Sequence, residues 1–205
     1  MRNKCAILIG LLILSMSVES KALMFGIRLS DLTEQTLPAV ANVGTRGRFG
    51  GFLGAKQKNS VILIGADYDR FRMQRGDSLL YSRRLTVDIG YRYQLFAEDK
   101  TNAMKIAPFI GIHYFKSFSQ VTGDSGMTLP SGLISSPALI KYLKDLANDS
   151  GIIVSGGAEY YFAPVFSFGA EGGIRYSKAS SSALGYSVKI SQYNSYVALL
   201  LSFYL

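Results

Sequence analysis

Between Arg84 and Leu95 the chain alternates without a break. Leu85, Val87, Ile89, Tyr91, Tyr93 and Leu95 fall on one side, and Arg84, Thr86, Asp88, Gly90, Arg92 and Gln94 on the other. A period of two predicts a β-strand with one apolar and one polar face. The stretch from Val165 to Ser177 repeats it: Phe166, Phe168, Ala170, Ile174 and Tyr176 oppose Ser167, Gly169, Glu171, Gly173, Arg175 and Ser177. Noisier versions run through Ile62–Tyr68, Ile106–Tyr114 and Ile152–Phe162. Shorter candidates lie at Leu23–Ser30 and Gly47–Lys56, and the last strand spans Tyr186–Leu205, which makes eight.

The connections between these strands alternate in length. Asp31–Arg46, Met73–Tyr81, Val121–Ser150 and Lys178–Leu184 are medium to very long, whereas Gln57–Asn59, Glu98–Asn102 and Ala163-Pro164 are short. An even number of strands with one ragged and one trimmed rim predicts an antiparallel up-and-down barrel with both termini at the trimmed end. Short periplasmic turns and longer external loops are the habit of outer-membrane barrels. Pro108 removes a ladder donor, so a bulge or the barrel edge is expected there. In the last strand Tyr186, Val188 and Ile190 are even but Val197, Leu199, Leu201, Phe203 and Leu205 are odd, which predicts a bulge within Ser191–Ser195.

Alternation alone does not say which face looks outward. A secreted lipocalin-like barrel would enclose the apolar face around a lipid ligand, and a membrane barrel would turn it to the bilayer. Composition separates the two. The polar faces carry Gly65, Gly90, Gly111, Gly157, Gly169 and Gly173 among serines and scattered charges. Water-facing strands gain nothing from so many glycines, whereas a crowded lumen needs them to seat a few long charged side chains. The aromatic residues collect on the charge-free apolar faces, as they do at membrane interfaces. This pattern resembles the small outer-membrane barrels of the OmpA/OmpX/OmpW type, over essentially all of residues 23–205. The alternating apolar end, Val197, Leu199, Leu201, Phe203 and Leu205, resembles the C-terminal assembly signal of outer-membrane proteins. A final Leu stands where those proteins usually have Phe. The resemblance implies an all-β, eight-stranded transmembrane barrel in the cell outer membrane, with outer-membrane lipids and the barrel assembly machinery as partners.

The N-terminus fits that destination. Arg2 and Lys4 precede an apolar run from Ala6 to Val18, and Ser20-Lys21-Ala22 supplies small residues for cleavage. Residues 1–22 therefore read as a signal peptide and 23–205 as the barrel domain. The run of 13 residues is well short of the ~20 a spanning helix needs. The formal charge of the 205-residue chain is +8; without Arg2, Lys4, Lys21 and Glu19 it is +6. The single Cys, Cys5, lies in the same segment, so the exported chain has no disulfide. Much of that charge is expected to be paired inside the barrel, which argues against a nucleic-acid patch.

The candidate chemistry lies on the polar face. In the predicted phase a lumen charge network comprises Arg28, Arg48, Asp67, Asp69, Arg84, Asp88, Arg92, Lys105, His113, Glu159, Glu171, Arg175 and Lys189. An eight-stranded barrel is just wide enough to be filled by its own side chains. Charges in so narrow a space should pair, because an isolated buried charge costs several kcal/mol. A plugged structural lumen is the expectation, with a narrow channel for small solutes as the alternative. A lipid-modifying enzyme is a further alternative resting on His113, the only histidine. Of the lipid-modifying barrel families, the deacylases need His-x-Ser, but His113-Tyr114-Phe115 stands here; the palmitoyl transferases use His, Asp and Ser, and Asp124-Ser125 follows only in a loop. No metal-ligand spacing, cofactor motif or phosphate loop is present, and no enzymatic activity is expected. Ser136-Pro137 reads as an N-cap followed by Pro at the first helical position. Leu139, Tyr142, Leu143 and Leu146 then recur at helical spacing. A short helix is expected in the third external loop, as a lid over the mouth or a surface for an external partner.

Overall fold

The computed structural model describes residues 22–30, 48–75, 78–95, 106–123, 136–183 and 185–205. The expected export signal lies outside these residues except for Ala22, as does Lys105. Eight strands appear in order: β1 (Ala22–Ser30), β2 (Arg48–Gln57), β3 (Ser60–Arg75), β4 (Ser78–Gln94), β5 (Ile106–Gly123), β6 (Ser150–Ala163), β7 (Phe166–Ser181) and β8 (Val188–Tyr204). Among the described residues a single helix, α1 (Ser136–Ala147), precedes β6. Each strand pairs antiparallel with the next, and β8 pairs with β1 to close the barrel.

The register fixes the dimensions. A ladder row starting at Tyr204 passes through Met24, Gly54, Leu63, Gly90, His113, Ile153 and Arg175 and returns to β8 at Asn194, a shear of ten residues (204 − 194). At ~3.3 Å per residue and ~4.8 Å between strands, eight strands with that shear tilt by about 40° and give a backbone radius of about 8 Å. A tilted strand then gains about 2.5 Å of height per residue, so ten residues span the ~25 Å apolar band of a membrane barrel. Strands β3, β4, β5, β7 and β8 have 16, 17, 18, 16 and 17 residues and therefore extend beyond such a band.

The polarity is the reverse of a water-soluble barrel. Leu53 is 67% exposed and Ile110 54%, whereas Arg92 is 2% exposed and Glu171 2%. Leu85, Val87, Ile89, Tyr91 and Tyr93 all face outward, as their alternation predicted. Burying such a belt in water would need a second protein layer; facing hydrocarbon, it needs none.

Three expectations about the strands are corrected. The bulge in β8 is absent: β7 and β8 pair in unbroken register from Phe166↔Phe203 to Ser181↔Val188. Even-numbered residues of β8 face inward throughout, so Lys189 is exposed on the outer wall and does not join the lumen. The apolar residues change face because the upper half of β8 has left the apolar belt, where the outer wall need not be apolar. The expected medium loop at Met73–Tyr81 shrinks, since β3 ends at Arg75 and β4 begins at Ser78. The register shift occurs instead between Tyr161 and Ala163 on β6. Pro108, third residue of β5, sits near the trimmed edge as expected, and its carbonyl accepts the Leu95 amide.

Candidate functional site

The inward faces bring together side chains from strands far apart in sequence. At the centre Arg28 of β1 donates to Asp67 of β3 through Nε at 3.0 Å and forms a close ion pair with Asp88 of β4. Asp88 faces His113 of β5 at 3.2 Å from Nδ1, while His113 Nε2 lies 3.1 Å from Glu171 of β7. Arg92 of β4 reaches Glu171 at 2.6 Å and lies 3.8 Å from Glu159 of β6. Ser155 also donates its hydroxyl to Glu171. A carboxylate only accepts hydrogen bonds, so a histidine bridging two of them donates from both nitrogens, as the imidazolium does.

Two further layers flank this centre. Towards the trimmed rim, the Tyr204 hydroxyl donates to Glu159 at 2.6 Å and the Tyr161 hydroxyl at 3.1 Å, with Gln94 donating to Tyr161 at 3.1 Å. Towards the long-loop rim, Arg84 of β4 makes a close ion pair with Asp149, and Arg175 of β7 lies 3.2 Å from the other oxygen of the same carboxylate. Arg48 and Asp69 stand 3.6 Å apart beside them. Burial pushes the Asp149 carboxyl up, but the two guanidiniums outweigh it and hold it below its ordinary value.

Asp149 escaped the sequence reading. It belongs to no alternating segment, and only the turn between α1 and β6 swings it over the lumen. The lumen aromatics also escaped it. Phe115 is fully buried beneath the Arg175 guanidinium, whose centre lies 3.9 Å from the ring centroid, and Phe109 lies 4.8 Å from that of Arg92. These contacts cover apolar wall with cation faces. The described buried set therefore holds five arginines (28, 48, 84, 92, 175) and six carboxylates (67, 69, 88, 149, 159, 171), with His113 between two of them. A positive His113 brings that set to neutrality. Of the residues expected in the network, Lys189 is excluded and Lys105 lies outside the described residues; the others are brought together.

The inward glycines make room for these groups. A Cβ on Gly65 would come 2.5 Å from Asp88 Oδ1 and 2.7 Å from Arg28 Nη2. On Gly90 it would run into the imidazole of its cross-strand partner His113. Gly90→Ala should therefore cost about 1–3 kcal/mol by overpacking, read as a lowered midpoint in urea unfolding from vesicles. An unchanged midpoint would show that His113 is free to move aside. A crevice beside Met24, Val61, Arg92, Gln94, Phe109 and Glu159 has no room for a water molecule.

Helix α1 lies against β5 and β7 above the start of β6, where the wall is one strand short. Its anchors are polar: the Ser119 amide donates to Asn148 Oδ1 at 2.6 Å, Ser119 Oγ donates to the Lys144 carbonyl at 3.1 Å, and Ser181 Oγ donates to Asp145 at 2.8 Å. Tyr142, Leu143 and Leu146 are half-buried, and the side chain of Leu139 lies outside the described set. The predicted helix is thus present, as a piece of wall at the rim. Val197, Leu199, Leu201 and Phe203 lie on the outward face of β8 and Leu205 is exposed just beyond its end, with Phe203 stacked on Phe25 of β1 at 5.1 Å.

Neither a family model nor a curated protein matches this chain. Solved structures do. The Escherichia coli outer membrane protein W is similar over 92% of this chain and 100% of its own, at 11% identity and a TM-score of 0.51. OprG of Pseudomonas aeruginosa is similar over 90% and 95% at 12% identity and a TM-score of 0.49. Neisserial surface protein A matches over 89% and 96% at 10% identity and a TM-score of 0.48. At such identities the likeness to outer membrane protein W is one of fold, and on that footing the chain has the eight-stranded up-and-down barrel fold found in outer-membrane proteins.

Proposed function

We propose that this protein is an integral outer-membrane barrel that conducts nothing, catalyses nothing, and works through its long-loop end. The observation that carries the reading is the joint polarity of the wall: an apolar belt outside and an ion-paired, hydrogen-bonded network inside. A channel would need a continuous wet path, whereas here the central and long-loop layers are spanned by charge pairs and the trimmed-rim layer by hydrogen bonds to Glu159. The placement of His113 supports a structural role, because both ring nitrogens are engaged by carboxylates. The outward row of Val197, Leu199, Leu201, Phe203 and Leu205, exposed before β1 and β8 close, is the segment proposed to meet the assembly machinery.

The test is direct. Refolded into lipid vesicles, the chain should migrate differently in boiled and unboiled detergent samples and should give no discrete conductance in planar bilayers. Identical migration, or extraction into detergent-free buffer, would sink the membrane reading. Steady ion flux that disappears in Arg92→Ala would sink the closed lumen. A change in lipid A acylation on expressing the protein, lost in His113→Ala, would establish an enzyme instead.

A further inference from the structure

The outer wall carries a feature that the lumen network does not explain. On β5, β6, β7 and β8 the outward row Tyr114, Ile152, Tyr176 and Tyr193 is followed one step nearer the long-loop rim by Lys116, Ser150, Lys178 and Ser191. The next outward pair is Ser180 and Lys189. Lys116, Ser150, Lys178, Ser180, Lys189 and Ser191, with Asp145 and Asn148 of the α1 segment and the inward-facing Ala179 and Ile190, line an open cleft of about 490 Å³ at the long-loop rim. Three lysines and three serines thus line one cleft just above a row rich in tyrosine, and the Lys178 amine lies 5.4 Å from the Tyr176 ring centre.

The chemistry of the walls selects the occupant. The amines of Lys116, Lys178 and Lys189 supply positive charge, and Ser150, Ser180 and Ser191 supply neutral donors. The described outward wall of the eight strands carries no carboxylate, since Asp67, Asp69, Asp88, Glu159 and Glu171 all face the lumen. The one acid at the cleft, Asp145, accepts the Ser181 hydroxyl. Lys116 lies 3.5 Å from the Asn148 carbonyl, a long contact that leaves its other protons directed elsewhere. Tyrosines mark the depth where hydrocarbon gives way to headgroups, so the cleft sits at headgroup level.

We propose that this cleft binds the phosphate of a lipid headgroup in the leaflet facing the long loops. The assignment rests on the membrane reading above. Protein refolded in neutral phosphatidylcholine vesicles, doped with phosphatidic acid or phosphatidylglycerol, can be released into detergent and its retained lipid counted by native mass spectrometry. Lys178→Gln/Lys189→Gln removes two cleft charges; Arg70→Gln/Arg83→Gln removes two outward charges elsewhere. Near a membrane surface each lysine contributes roughly fivefold in affinity, so the cleft pair should lose on the order of 25-fold in retained phosphatidic acid. The arginine pair should stay within about threefold of the parent.

Equal losses in the two pairs, or none in the cleft pair, would overturn the site while leaving an inserted barrel intact. Displacement of the lipid by a few millimolar inorganic phosphate would overturn the lipid assignment in favour of the free anion. A chain that fails to enter phosphatidylcholine vesicles would overturn both the site and the membrane reading, which keeps the two failures apart.

Discussion

Glu171→Ala should destabilise the barrel by about 3–5 kcal/mol, the cost of stripping a buried charge network of one partner. Glu171 receives Arg92 at 2.6 Å, His113 at 3.1 Å and the Ser155 hydroxyl, and all four residues are buried. With the carboxylate gone, a guanidinium and an imidazolium remain side by side without their shared counter-charge. Glu171→Gln keeps an oxygen acceptor in the same place and should lose about half as much. Equilibrium urea unfolding in vesicles, followed by circular dichroism because the chain has no Trp, reads both variants. A loss below about 1 kcal/mol in Glu171→Ala would mean that water enters and solvates the orphaned groups, and the picture of a dry lumen would fall.

Asp149→Ala is expected to act locally but as strongly, costing about 3 kcal/mol at the long-loop rim. Arg84 and Arg175 then confront each other without the carboxylate that separates them. Because Asp149 directly precedes β6 and follows the α1 segment, the effect should appear as release of α1, measured by proteolysis within 136–147 on intact vesicles. The pH dependence has a definite sign. A carboxyl held below its ordinary value of ~3.9 contributes stability that is complete above that value and is lost as pH falls through its lower folded value. Protection of α1 should therefore be the same at pH 7 and pH 5 and disappear only in stronger acid. In Asp149→Ala it should be missing at every pH. Protection that already fails at pH 5 in the parent would show that another group holds the helix.

Much of this architecture was readable because a membrane barrel writes its two environments into alternate residues. In β4, from Arg84 to Gln94, every polar residue faces the lumen and every apolar one the outside. Where legibility failed, one of those environments had changed. Beyond the apolar belt β8 no longer needs an apolar exterior, so Val188 and Ile190 turn inward and Lys189 outward, and the pattern imitates a bulge. Inside the lumen, Phe109 and Phe115 break alternation because flat apolar surface is what a guanidinium stacks on. Asp149 left no periodic trace, since its position depends on how a helix returns the chain to β6. The partners of each charge were likewise unreadable, because pairing across the bore depends on shear, a property of the closed ring and not of any one strand.

That shear has a mechanical consequence. Eight strands offset by ten residues have their diameter set by backbone hydrogen bonds, at about 16 Å from wall to wall. Side-chain replacement can empty such a tube but cannot widen it. Any leak created by clearing the bore should therefore approach a fixed maximum, however many charges are removed, because the limiting aperture is a geometric constant of the ladder. A larger aperture would require unzipping one of the eight seams, and among the described residues the seam joining β1 to β8, with seven aligned pairs from Met24↔Tyr204 to Ser30↔Ala198, is the shortest fastening.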